Sequence, residues 1–334
     1  MEHALSVVGG GHTILLRPGV YRGPIQVPKS RAGTKERPTV LRSEIKWKAV
    51  VIGGPAHVIS NGDDCHWLVV DGFEVMGARS TGIKMSGDYN VVRNCWVHNN
   101  GHMGISSHGR TGGTIENNLV EFNGQHVQLH HGVYASGDGL TVRANVVRHN
   151  ASFGLHLYSK ISNSVVAHNV VYGHVRKAGI LVACPEGGGK NTVVHNTVAD
   201  NAGGIDVWKG DGEVVVNNIV VARSGEALSF GNGSKIVRSE FNLTTGDPKF
   251  VDARHGIYWL RADSPAIGKA SAPDAPKADF WGRARPEDKA PDLGAFAFDP
   301  ALDLKQAAWA PSSWAYSFGV NDERGGPPDF WARP

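Results

Sequence analysis

Six short apolar runs recur along the middle of the chain, and most carry asparagine at the second position. They read NCWVHNN from Asn94, NNLVEFN from Asn117, ANVVRHN from Ala144, HNVVYGH from His168, HNTVADN from His195 and NNIVVAR from Asn217. The second positions are Cys95, Asn118, Asn145, Asn169, Asn196 and Asn218, spaced 23, 27, 24, 27 and 22 residues apart. A unit of this length cannot bury its own apolar face, so it must stack on its neighbours as one coil of a solenoid. Backbone hydrogen bonds then run from coil to coil at about 4.8 Å, and like side chains stack with them. Asn118, Asn145, Asn169, Asn196 and Asn218 are expected to form an inward row in which each amide satisfies the next. Asn100, Asn123, Asn150 and Asn201 should form a second row, interrupted by His174.

A second strand follows each asparagine turn and opens on glycine: GIKMSG from Gly82, GISSHG from Gly104, GVYASG from Gly132, GLHLYSK from Gly154, GILVACP from Gly179 and GIDVWKG from Gly204. Alternation turns Ile83, Ile105, Val133, Leu155, Ile180 and Ile205 to the core, and leaves the residues between them outside. One outward row reads Lys84, Ser106, Tyr134, His156, Leu181, Asp206. The neighbouring row reads Ser86, His108, Ser136, Tyr158, Ala183, Trp208.

Composition agrees with many short strands: 43 glycines, 17 prolines, 19% charged residues and 41% hydrophobic residues. A net charge of +3 is too small for a nucleic-acid footprint but compatible with an acidic ligand. Cys65, Cys95 and Cys184 lie far apart with no C-x-x-C spacing, so neither a disulfide framework nor a structural zinc site is expected. No run reaches about 18 apolar residues, so no membrane span is expected, and the first residues show no signal-peptide pattern.

These stretches resemble the bacterial right-handed parallel β-helix proteins, a superfamily of pectate lyases, chondroitinase B and alginate lyases, and mannuronan epimerases. The opening, GHTILLRPGVYRGPIQVPKSRAGTKERPTVLRSE with VVIGG and HWLVVDGFEV, is similar to the capping segment of the alginate and chondroitin lyases. The end, DPKFVDARHGIYWLRADSPAIGKA and DFWGRARPEDKAPDLGAFAF, resembles a closing segment common to many such proteins. The resemblance spans residues 10 to 299. It implies an all-β chain, with a right-handed parallel β-helix and its N-terminal cap over residues 1–299. Residues 300–334, rich in tryptophan and phenylalanine, form a C-terminal extension expected to pack on the solenoid or on a partner, a route to a homo-oligomer.

Fold alone leaves the reaction open, so function must come from the outward residues. His108, Tyr134, His156 and Tyr158 converge on adjacent coils as candidate catalytic groups. Lys84, Lys160, Arg176, Lys177, Asp206, Trp208, Lys209 and His131 are candidate substrate contacts. β-Elimination on a uronate needs a group that neutralises the carboxylate, a base for the adjacent proton and an acid for the leaving oxygen. The patch supplies each type. The expected function is a polysaccharide lyase acting on an anionic glycan. A noncatalytic glycan-binding or structural β-helix, a glycoside hydrolase and a uronate epimerase are the alternatives. Carboxylates are too few on this flank to indicate calcium, and no cofactor is expected. The loop GQHVQLHHG carries His126, His130 and His131 without a fixed ligand spacing, which favours cleft-lining side chains over zinc. Neither nucleic acid nor membrane is an expected partner. The substrate class points to an extracellular or periplasmic address.

Overall fold

The computed structural model describes residues 2–301 except 232, 286 and 287. Three parallel sheets run side by side along one axis. The first has ten strands, from Thr13–Leu16 to Lys235–Glu240, and the second nine, from Gly19–Arg22 to Ile219–Ala222. The third carries the outward rows and is called the site sheet. Its strands are Ile25–Val27 (β1), Ile59–Asn61 (β2), Ile83–Ser86 (β3), Ile105–Thr111 (β4), Val133–Asp138 (β5), Leu155–Ser162 (β6), Ala178–Ala183 (β7), Gly203–Trp208 (β8) and Leu228–Phe230 (β9). Each coil contributes one strand to each sheet, and the inward Val, Ile and Leu of all three form a continuous core.

The asparagine pairs divide two tasks at one corner. The first residue of each pair takes a left-handed turn: Asn94, Asn117, Ala144, His168, His195 and Asn217 all have φ between 51 and 61°. Asparagine tolerates that conformation better than most residues. The second residue points inward. Nδ2 of Asn118 donates to Oδ1 of Asn145, Asn145 to Asn169, Asn169 to Asn196 and Asn196 to Asn218, each at 3.0 Å, and Asn218 donates to Asn242 at 2.9 Å.

In the second row Asn100 donates to Asn123 and Asn123 to Asn150. His174 does not interrupt this row. Its Nε2 lies 3.3 Å from Asn150 Nδ2 and its Nδ1 lies 2.8 Å from Asn201 Oδ1. An imidazole accepting at Nε2 and donating at Nδ1 replaces an amide in the chain, and burial holds its pKa down near 3, in the neutral form this requires. A third inward row escapes the sequence reading because its members differ: Leu140 N donates to Ser164, Ser164 N to Asn191, and Asn191 to both oxygens of Glu213.

Glycine opens the site-sheet strands because there is no room for a Cβ. At Gly104 it would stand 2.4 Å from Val120 and 2.8 Å from Asn123 Nδ2.

The middle of the second sheet is covered on both faces, its outer face holding the buried Arg148–Glu121 ion pair among apolar side chains. Residues 248–299 lie across its outer side, where Tyr258, Trp259, Phe280 and Phe296 bury Leu119, Val146, Val170 and Tyr172, as expected for strands covered twice. One element departs from an all-strand reading: a helix, Glu2–Val7, places Leu5 over the first coil, held by Arg31 through the Leu5 and Ser6 carbonyls. The expected packing of residues 300–334 falls, beyond Ala301, outside the described residues.

Candidate functional site

Register on the site sheet sets the site. Lys84, Ser106, Tyr134, His156, Leu181 and Asp206 are successive partners across β3 to β8. Ser86, His108 and Ser136 also pair in order. The pairing then slips between Ala135 and Gly137, so that Tyr158, Ser159 and Lys160 of β6 bulge outward opposite Ser136 alone. The bulge turns Tyr158 over its neighbours.

The four candidate catalytic residues come together. Ring centroids are 5.4 Å apart for His108 and Tyr134, 5.2 Å for Tyr134 and His156, 5.2 Å for His156 and Tyr158, and 6.4 Å for Tyr134 and Tyr158. Burial lowers the pKa of His108, with Lys84 adding to the effect. Burial alone takes His156 down to about 4. Tyr134 is shifted up by burial first and then by Tyr158 and Glu186. Near neutral pH the site thus presents uncharged imidazoles beside a phenol that keeps its proton.

His131 stands elsewhere than expected. Only 2% exposed, it lies behind the surface, where its Nε2 meets His156 Nδ1 at 2.9 Å. The rings of His156, Tyr134 and Phe153 pack around it. Burial, then the neighbouring His156, holds its pKa near 3. One neutral ring must donate to the other, so the two outer nitrogens, His131 Nδ1 and His156 Nε2, comprise one donor and one acceptor. Both are buried and without a hydrogen-bond partner among the described residues. Phe153, absent from the sequence reading, packs on both rings at 5.7 and 5.0 Å.

The other candidate contacts spread along the flank. Lys177 places its Nζ 5.6 Å from the Phe153 ring centre. Asp206 is raised to about 6, by burial first and then by Glu226, against the opposing pull of Lys177. Trp208, 39% exposed, carries Lys209 over its ring at 5.2 Å. Lys160 and Arg176 are exposed and make no hydrogen bond or ion pair among the described residues. At the other end Lys84 and His108 open into a cavity of about 520 Å³ shared with His66, Asp88 and Arg110. His66 and Asp88 went unnoticed because they sit outside the alternating strands, and Arg110 because it lies at the far end of β4, beyond the aligned rows. Of the remaining loop histidines, His126 is exposed, while His130 Nδ1 accepts from the Gln125 and His126 amides and its ring stacks on His102 at 4.1 Å. Among the described residues no three His, Cys, Asp or Glu side chains are grouped to hold a metal.

Residues 57–221 match the family described as "Right handed beta helix region". The chain is a right-handed parallel β-helix. The same architecture in pectate lyase Pel9A superposes with a TM-score of 0.62 at 15% identity, over 89% of this chain and 90% of that one. An alginate lyase from Paenibacillus sp. str. FPU-7 gives 0.41 at 17% identity, over 72% of this β-helix and 95% of its own chain. A periplasmic alginate epimerase gives 0.42 at 16%, over 67% and 66%. No curated protein sequence matches the chain. At these identities the likeness is one of fold, and the chemistry rests on the site.

Proposed function

We propose that this β-helix is a polysaccharide lyase that cleaves a uronate-containing glycan by β-elimination on the site sheet. The observation that carries the reading is a neutral His156 with one nitrogen tied to His131 and the other unpartnered between Tyr134 and Tyr158. A base for this reaction must be unprotonated at working pH and uncommitted at one nitrogen. Once substrate displaces the side chains that cover it, His156 Nε2 takes the proton on C5 of the uronate, the released electron pair forms the C4–C5 double bond, and the C4–O bond breaks. Tyr134 gives its proton to the departing oxygen, and its raised pKa suits an acid. Tyr158 and His108 hydrogen-bond the sugar. Lys177 or Lys84, at either end of the cluster, neutralises the carboxylate so that charge can build on the enolate.

A second reading has its own observation. Asp206 is raised to about 6 by burial and then by the nearby Glu226, and a carboxyl with a raised pKa near a second carboxyl is the pair a glycoside hydrolase uses. Incubation with uronate polysaccharides separates the two. A lyase yields products absorbing in the ultraviolet through the new double bond, and a hydrolase yields reducing ends without that absorbance. Binding without either product would leave a glycan-binding β-helix.

A further inference from the structure

A second cavity, of about 240 Å³, opens at the corner between the first and second sheets, a full sheet away from the site sheet on either side. Lys46, Trp47, Asn117, Leu119, Phe280 and Trp281 are among the residues that line it. Both indoles are held in place. Trp47 Nε1 donates to the Asn94 carbonyl at 2.7 Å, and its ring packs on Trp96 at 5.8 Å. Trp281 packs on Phe280 at 5.0 Å and on Phe296 at 6.0 Å, and remains 39% exposed. Lys46 Nζ lies 4.5 Å from the centre of the Trp47 ring.

The Asn117 carboxamide has no hydrogen-bond partner among the described residues. Its left-handed turn does not demand asparagine, since Ala144 occupies the same turn one coil on with φ 51°. The arrangement combines fixed aromatic faces, an unengaged amide and a cation in a recess smaller than the roughly 300–1,000 Å³ of pockets that enclose drug-sized ligands. Aromatic faces take the C–H side of a pyranose, the amide takes hydroxyls, and the lysine takes a carboxylate.

We propose that this corner is a noncatalytic subsite for a single uronate ring, which anchors an acidic glycan on the side of the solenoid away from the chemistry. The assignment does not depend on the lyase reading, because a β-helix that only bound glycan would use the same recess.

Titration of ¹⁵N-labelled protein with galacturonate, and separately with galactose, tests it through the indole N–H signals. Galacturonate should shift the Trp47 and Trp281 signals saturably, at severalfold lower concentration than galactose. Lys46→Gln should erase that preference, and Trp281→Ala or Asn117→Ala should weaken binding about tenfold or more. Asn117→Ala keeps a residue type already found in that turn, so loss of fold does not confuse the result. His156→Ala should leave the titration unchanged, whatever happens to activity. Unshifted indoles, shifts confined to Trp208, equal binding of both sugars, or full binding by the Asn117 and Trp281 variants would each overturn the proposal.

Discussion

His156 offers only one ring nitrogen to a substrate while its bond to His131 stands, and this gives two predictions. In the lyase reading the neutral form is the base, so kcat/KM should rise as pH passes upward through about 4, where His156 gives up its proton. Because burial alone depresses His156, removing the ring that covers it should relax the shift. His131→Ala should therefore move the acid limb upward toward the ordinary histidine value of about 6.5, together with a loss of turnover, while KM changes little. A pH–rate profile of both proteins checks this, and an unmoved limb would show that His131 only fills space. Tyr134→Phe, which keeps the ring and loses the proton, should lower kcat by about a hundredfold or more in the same assay. Alternation alone places His108, Tyr134, His156 and Tyr158 outside and in rows. The position of His131 depends instead on how the 124–132 loop returns to the coil, which periodicity does not encode.

The strand rows of the middle and later coils rest on polar chains that run through the core. Replacing Asn145 with leucine strips an acceptor from Asn118 and donors from Ile115 O and Asn169. The expected cost is roughly 1–3 kcal/mol in denaturant unfolding, the usual penalty for stranding buried polar groups. Glu213 ends the third row fully buried, and burial raises its carboxyl to about 7 against the efforts of Asn191. The sign follows from linkage. With a folded pKa above the unfolded 4.5, its contribution is complete below pH 4.5 and is lost as pH rises through 7, by an order of 3 kcal/mol. Glu213→Gln should therefore be more stable than the parent at pH 8 and show little advantage at pH 5, by thermal melting at each pH. Repeated asparagines reveal two rows from sequence alone. The third, built of serine, asparagine and glutamate, has no repeated letter to find, and His174 looks like a break because its two nitrogens work only in one tautomer.

Across the whole molecule the coil period, the parallel stacking and the outward rows were legible, because burial of one face and a spacing of 22 to 27 residues leave little else to build. The covering of the second sheet by residues 248–299 was not, since its apolar pairs, such as Leu119 and Val120 or Val146 and Val147, read equally well as strand core. Buried neutral histidines also set a property of the whole fold. His131, His156, His168 and His174 have folded pKa values of about 3 to 4, so the unfolded chain binds protons they refuse. Stability should therefore fall as pH drops below about 6.5 toward those values, as a decline in melting temperature between pH 6.5 and 4. The flank that these coils build is long and open, suited to a polymer laid across successive strands. The most direct test of its chemistry is to follow ultraviolet absorbance of unsaturated product on a uronate polysaccharide with the parent and with His156→Ala at matched melting temperature. The lyase reading predicts product from the parent and at least about a hundredfold less from the variant. Equal rates from the two proteins, or reducing ends without unsaturated product, would contradict it.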